Sequence, residues 1–287
     1  MSAFAFTKAQ RYLIRRSPER AEEVGEKLGR TIFKLSKKHR QRALDNLQLA
    51  FPLMPEAERE ALGQRVLEHF GKVTADFLIS GRRSQEELDR SMTVEGLENL
   101  NEALKLERGV IMITGHFGNW ERLSAWVSTH GYKLSVISRD VSNSQLNRMV
   151  NELREGPGTT VIPRGDSARA IIERLRRNEL IGILPDQNSE EVFIPFFDHP
   201  AGTVLGPGVL SERTGAPVVP CWSVWTGPGQ YRMIVEPALT PEPGYSRKGE
   251  GTMRAIHKSL EAIIRKHPEQ WLWFHDRWKS ARRRGMI

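Results

Sequence analysis

The stretch GVIMITGHFGNWE, residues 109–121, predicts both the fold and the position of a candidate site. Its first six residues are mostly β-branched or otherwise apolar, which predicts a short buried strand over residues 109–114. His116 and Glu121 follow directly, at the junction with a predicted helix over 119–130. A histidine in this position can act as a general base, and a carboxylate can fix its tautomer and stabilise the imidazolium.

The His-x4-Glu spacing alone is weak evidence for a site. A chain with 8 histidines and 35 acidic residues among 287 contains about one such match by chance. A surface or core histidine with satisfied hydrogen bonds is the alternative, so the positions of other polar residues have to distinguish the two interpretations.

The chain shows two patterns of periodicity. Residues 1–90 are helical throughout, whereas short apolar segments alternate with amphipathic helices from residue 91 onward. We therefore predict an N-terminal helical region, 1–90, and an α/β domain, 91–287, with a mixed, mostly parallel central sheet flanked by helices. The predicted strands are 109–114, 133–138, 159–162, 180–184, 192–197, 217–224 and 231–235, the last two joined by a hairpin turn at 227–229.

The composition excludes several kinds of protein. A hydrophobic fraction of 39% and a charged fraction of 27% are those of an ordinary globular chain. The single cysteine, Cys221, excludes an internal disulfide framework, and no Cys/His cluster has zinc spacing, so we predict no metal and no cofactor. No apolar run reaches the roughly 18 residues of a membrane-spanning helix, which predicts a soluble or peripheral protein.

Positive charge is concentrated at the two ends of a chain whose net charge is +8. Residues 1–50 contain twelve Lys or Arg against five Asp or Glu, and residues 271–287 contain five against one. This distribution fits an anionic partner such as a membrane surface or an acidic carrier protein, although a solvated basic surface explains it equally well. We expect no nucleic-acid partner, because no recognition motif is present.

Residues 3–16 can form a short amphipathic helix. Its apolar side chains include Phe4, Phe6, Tyr12 and Leu13, and its basic residues surround them. The pattern fits a helix lying in a membrane interface and, equally, a helix packed on its own domain.

Polar side chains follow four successive predicted strands. They are His116 after the first, Arg139 and Asp140 after the second, Arg164 after the third, and Asp186, Gln187 and Asn188 after the fourth. Ligands of open α/β sheets bind at the carboxyl ends of the strands. Structural ion pairs would be spread over both edges of the sheet, so this arrangement favours a functional His116.

Six motifs occur in order between Arg40 and Lys279: RQRALDNLQLAFP, TGHFGNWE, VIPRGD, LPDQN, IPFFDHPAGTVLGPGVLSERTGAPVVP and a C-terminal HDRWK. Together they resemble the bacterial lipid A late acyltransferases, the lauroyl and myristoyl transferases within the glycerolipid acyltransferases that use His-x4-Asp/Glu. The resemblance implies a glycerolipid-acyltransferase-like fold. It also implies transfer of a fatty acyl group from acyl carrier protein or acyl-CoA to a hydroxyl of a membrane lipid.

The resemblance implies that His116 and Glu121 are the catalytic pair, with Glu121 holding the imidazole and stabilising its charge. The family uses a basic residue near the acceptor's phosphate, and the resemblance assigns this role to Arg164. The alternative is that Arg164 is an exposed cation in a loop. An oxyanion donor is also required, and the Asn119 side chain or backbone N–H groups within 115–119 are the candidates.

Asp186 and Gln187 match a further block of the family and are predicted to bind substrate, although Asp186 could instead cap a helix or stabilise a loop. The implied acceptor is an anionic glycolipid such as a lipid A precursor. Alternatives are a phosphatidylinositol mannoside, a lysophospholipid, or water in a thioesterase or lipase, although the absence of G-x-S-x-G argues against a serine hydrolase. Commoner family members begin with a membrane-spanning helix, whereas this chain has only the amphipathic pattern of residues 3–16 there. We therefore expect peripheral attachment to the cytoplasmic face of the inner membrane.

Overall fold

The computed structural model describes residues 3–138, 143–163 and 167–287. It confirms the α/β class, with a seven-stranded, mostly parallel sheet flanked by helices and preceded by a helical region. The helices are α1 Ala3–Leu13, α2 Pro18–Leu35, α3 Lys37–Ala50, α4 Glu56–Ile79, α5 Gln85–Ser91, α6 Leu97–Leu104, α7 Trp120–Thr129, α8 Ser144–Glu155, α9 Ser167–Arg176, α10 Gly206–Thr214, α11 Glu250–Lys266 and α12 Lys279–Arg283. The strands are β1 Met92–Glu95, β2 Val110–Ile113, β3 Leu134–Ser138, β4 Thr160–Pro163, β5 Leu180–Ile183, β6 Val192–Phe196, β7 His199–Thr203, β8 Val218–Gly227 and β9 Gln230–Val235.

The large sheet has the strand order β1-β9-β8-β2-β5-β3-β4. Its pairs are parallel except β8 with β9, whose antiparallel hairpin confirms the turn predicted at 227–229. β6 and β7 form a separate antiparallel pair. β2 lies between β8 and β5 with all four residues buried, which explains why its sequence is a continuous apolar run instead of an alternating one.

Helix α4 connects the N-terminal helices to the sheet. Its Val66 and Phe70 belong to the same buried cluster as Ile111 and Ile113 of β2. On another face α4 lies in backbone contact with α2, since a Cβ added to Gly71 would lie 2.0 Å from the carbonyl oxygen of Gly25. The helical region and the sheet therefore share one core, and the domain boundary at residue 90 stays a prediction.

Helix α1 packs on its own domain. Phe6 and Leu13 are buried in a cluster with side chains of α4 and α8, and only Phe4 and Tyr12 of its large apolar residues are exposed. Of the two interpretations of residues 3–16, packing against the domain is therefore the one observed. Within the three described ranges, no helix is long and apolar enough to cross a membrane.

Candidate active site

His116 and Asp186 meet at the carboxyl edge of the sheet. They follow β2 and β5, which are paired in parallel with Ile113 opposite Ile183. The imidazole Nδ1 of His116 lies 2.8 Å from Oδ1 of Asp186, and the backbone N–H of His116 donates to Oδ2 at 2.7 Å. The indole N–H of Trp271 also donates to Oδ2, at 3.0 Å. The Asp186 carboxylate is thus held by donors on both oxygens.

The buried carboxylate determines the protonation of the ring. Burial opposes the ionisation of Asp186, but the charge and hydrogen bonds of His116 and the Trp271 N–H lower its pKa to about 2. Burial likewise opposes the charged form of His116, but the Asp186 carboxylate, its hydrogen bond and the charge of Glu121 together raise the pKa of the imidazole. Because an ionised carboxylate only accepts, neutral His116 carries its proton on Nδ1 and leaves Nε2 unprotonated.

Gln187 and Trp120 lie beside the imidazole ring of His116. The Gln187 amide nitrogen is 3.3 Å from Nε2 of His116, and the Trp120 ring centroid is 5.2 Å from that of the imidazole. The His116 side chain keeps 22% of its surface exposed, whereas that of Asp186 keeps 1%. With Nε2 unprotonated, the Gln187 amide N–H donates to it, so a hydroxyl that binds Nε2 has to displace this donor.

Glu121 has a different partner from the one expected. Its carboxylate accepts from Arg154, at 2.6 Å from Nη2 and 3.0 Å from Nε, and from the Trp120 indole at 3.1 Å. Nδ1 of His116 is occupied by Asp186, so Glu121 does not hold the imidazole by a hydrogen bond. Its position in the first turn of α7 turns it toward Arg154 on α8, and it acts on His116 through its charge alone.

Asn119 has a structural role. Its Oδ1 accepts from the backbone N–H of Arg122 at 3.0 Å and so caps α7, while its Nδ2 donates to Asp76 at 2.7 Å. The residue is fully buried, so the geometry does not support the expectation that its amide contacts substrate.

The backbone donors near the site are also engaged. The N–H groups of His116, Gly118 and Asn119 donate to Asp186, Gln270 and Ser223 respectively. These three predicted oxyanion donors are therefore committed to holding the loop, and the Gln187 amide is the nearest described side-chain donor to Nε2.

Helix α4 holds the loop of residues 115–119, here called the His116 loop, through two of its polar side chains. The buried Asp76 accepts from Asn119 and from the guanidinium groups of Arg83 and Arg122. Burial lowers the pKa of His69 to about 3, so its neutral ring can donate from Nε2 to the carbonyl of Gly118 at 3.3 Å. Neither contact has a signal in the sequence, because each joins residues more than forty positions apart.

Arg164, and with it Arg139 and Asp140, lies outside the described residues. Its predicted contact with the acceptor's phosphate stays a prediction. Among the residues that are described, no group of three His, Cys, Asp or Glu side chains is placed to hold a metal ion.

Gly118 is the residue that allows this loop to form. It has a φ of +55°, and a Cβ added there would lie 1.6 Å from the carbonyl oxygen of Ser223. We expect Gly118→Ala to lower the free energy of unfolding by at least about 1–3 kcal/mol and to displace His116. Thermal unfolding measures the effect. Gly131→Ala is the matched control, since Gly131 also has a positive φ of +84° but no atom within 4 Å of its Cβ position; equal losses in the two variants would contradict the collision.

The described residues form an α/β fold with a paired histidine and carboxylate, His116 and Asp186, at the carboxyl edge of its large sheet. The family described as bacterial lipid A biosynthesis acyltransferase matches residues 8–280. The chain belongs to this family, as the sequence motifs predicted, and is an O-acyltransferase.

Individual relatives are distant in sequence but similar over most of their length. The chain is 24% identical to a lipid A biosynthesis acyltransferase of Haemophilus influenzae, over 86% of this chain and 78% of the relative. It is 24% identical to the lipid A biosynthesis myristoyltransferase of Escherichia coli, over 89% and 80%. It is 28% identical to a phosphatidylinositol mannoside acyltransferase of Mycobacterium tuberculosis, over 81% and 75%.

Proposed function

We propose that this protein transfers a fatty acyl group from acyl carrier protein or acyl-CoA to a hydroxyl of an anionic membrane glycolipid, such as a lipid A precursor. The observation that carries the proposal is the unprotonated Nε2 of His116, on a partly exposed side chain at the edge of the sheet, while Nδ1 is tied to Asp186. A lipid hydroxyl is a weak nucleophile at neutral pH, and a base within hydrogen-bond reach overcomes this weakness. The protein carries out this transfer while attached peripherally to the cytoplasmic face of the inner membrane.

The reaction proceeds by direct attack on the thioester. Nε2 of His116 takes the hydroxyl proton while the oxygen bonds to the thioester carbonyl carbon, and Asp186 stabilises the imidazolium. The Gln187 amide, which the hydroxyl displaces from Nε2, donates to the oxyanion of the tetrahedral intermediate. The C–S bond then breaks, the imidazolium returns its proton to the sulfur, and an ester and a free thiol leave.

Glu121 contributes a second negative charge near the imidazolium. The Arg154 guanidinium holds its carboxylate, so this charge stabilises His116 at longer range than that of Asp186. Arg164 is the candidate for binding the acceptor's phosphate, since its guanidinium suits a bidentate contact with oxygen pairs.

A phosphatidylinositol mannoside is the second candidate acceptor. Support for it comes from the 28% identity to the mycobacterial phosphatidylinositol mannoside acyltransferase, which is no lower than the identity to the two lipid A relatives. Both acceptors require the same chemistry at His116, and they differ in the headgroup that carries the hydroxyl.

The purified protein, incubated with an acyl-thioester and each candidate lipid, tests the function directly. We expect mass spectrometry to detect the lipid with one additional acyl ester, formed in proportion to the thiol released. A parallel reaction without lipid measures hydrolysis. Thiol release that does not depend on the lipid would instead establish a thioesterase.

A further inference from the structure

Helix α2 exposes a line of large apolar side chains. Leu28, Ile32 and Leu35 are 55%, 37% and 78% exposed. Their spacing of four and then three residues places them along one face of the helix. We call these three residues the α2 stripe.

The packing of α2 keeps this stripe at the surface. Gly25 and Gly29 lie in backbone contact with α4, and a Cβ at Gly29 would lie 2.0 Å from the carbonyl oxygen of Leu67. Phe33, on the same side as these glycines, is buried. Rotating the helix to hide the stripe would break this contact, so the stripe is a fixed feature of the surface.

Unpaired positive charge accompanies the α2 stripe. Four lysines of α2 and the start of α3 are exposed and form no ion pair with any described residue: Lys27, Lys34, Lys37 and Lys38. The acids on the adjoining faces are already neutralised, because Glu26 pairs with Arg30 and Lys72, and Glu68 pairs with Arg30. The surface around the stripe is therefore apolar with a net cationic margin.

We propose that the α2 stripe and these four lysines dock the protein on an anionic lipid bilayer. The apolar side chains enter the interface, and the lysines contact the acidic headgroups, as in helices that lie in the plane of a membrane. A second copy of the chain fits this surface poorly, because a symmetric contact would bring two sets of unpaired lysines together. The proposal rests on the proposed function only in taking the acceptor to be a membrane lipid.

The position of α2 suits this role. α4 contacts the His116 loop through His69 and Asp76, and it contacts α2 through Gly71. The docking helix is thus separated from the His116 loop by the width of one helix, so a docked molecule holds its site close to the membrane surface. This differs from the interface helix considered for residues 3–16, whose buried residues are committed to the domain.

Vesicle flotation tests the proposal without any reaction. The wild-type protein should float with vesicles that contain phosphatidylglycerol and much less with vesicles of phosphatidylcholine alone. Leu28→Gln/Ile32→Gln/Leu35→Gln should weaken binding roughly tenfold or more. Lys27→Gln/Lys34→Gln should weaken it about fivefold per lysine, with a reduced dependence on salt.

Leu106→Gln/Tyr245→Gln is the matched control, because both residues are exposed and lie outside α2. The proposal would be overturned if the stripe variant bound vesicles as tightly as the wild type. It would also be overturned if the wild type and the control variant were dimers in size-exclusion chromatography and the stripe variant were a monomer. Transfer to a detergent-dispersed acceptor should be unchanged in the stripe variant, while transfer to a vesicle-embedded acceptor falls. A wild-type protein that floats but transfers to neither acceptor would contradict the proposed function and leave the docking surface standing.

Discussion

His116→Ala is expected to lower kcat/KM for acyl transfer by about 10²–10⁴, the usual contribution of a general base. The reason is geometric: Nε2 is the unprotonated ring nitrogen, and the other ring nitrogen is committed to a carboxylate buried beneath it. The residual rate would come from the bound geometry and the remaining oxyanion donor. Initial rates of thiol release, with the acyl-thioester limiting and the lipid acceptor saturating, measure the loss in kcat/KM for the thioester.

The His116→Ala variant should remain folded. Asp186 keeps the His116 backbone N–H and the Trp271 indole as donors after the ring is removed. His130→Ala is the control for loss of a histidine elsewhere, since His130 stacks on Trp126 at the far end of α7. Retention of full activity by the His116 variant, with normal thermal unfolding, would exclude His116 as the base.

The sequence predicted which side chains lie at the carboxyl edge of the sheet better than it predicted which of them are paired. Buried parallel strands end at one edge of a sheet, so His116 and Asp186 could be assigned to the same edge from the positions of their strands. Their direct contact depends on β2 and β5 being neighbours, although β3 and β4 intervene in the chain. No local pattern reports that crossover.

The expected partner of His116 was chosen by sequence proximity. Glu121 is only five positions away in sequence, but it lies in the first turn of α7, which begins at Trp120. The direction of that helix determines where the Glu121 side chain points. That direction brings Glu121 to Arg154, 33 residues further along, while Asp186 reaches the ring from 70 residues away. A spacing motif therefore located the histidine and gave the wrong hydrogen-bond partner.

Asn119 illustrates a capping signal that was present in the sequence and was interpreted as a substrate contact. Asparagine immediately before a helix is a preferred N-cap, because its side-chain oxygen satisfies a free N–H of the first turn. The observed bond to Arg122 is that interaction. Strands β1 and β7 were missed for a different reason: MTVE is only four residues long, and HPAGT contains proline and glycine, which have low β propensity.

Replacing each carboxylate separately distinguishes the two candidate partners of His116. Asp186→Asn is expected to lower kcat by about 10²–10⁴, because the buried amide no longer stabilises the imidazolium and can favour the wrong tautomer. Glu121→Gln should cost less, about tenfold, because its charge acts on the ring without a hydrogen bond. A larger loss in the Glu121 variant would mean that Glu121, and not Asp186, holds the ring during turnover.

The pH dependence of kcat gives a second, independent measure of the same pair. Transfer needs neutral His116, so the rate should rise as the pH increases through the raised pKa of the imidazole. Asp186 stays ionised across this range, since its pKa is about 2. Removing its charge lowers the pKa of His116, and the midpoint of the profile should therefore move to lower pH in Asp186→Asn. The shift in Glu121→Gln should have the same sign and be smaller. An unchanged midpoint in Asp186→Asn would show that the two side chains are not coupled in the working enzyme, whatever the loss in rate.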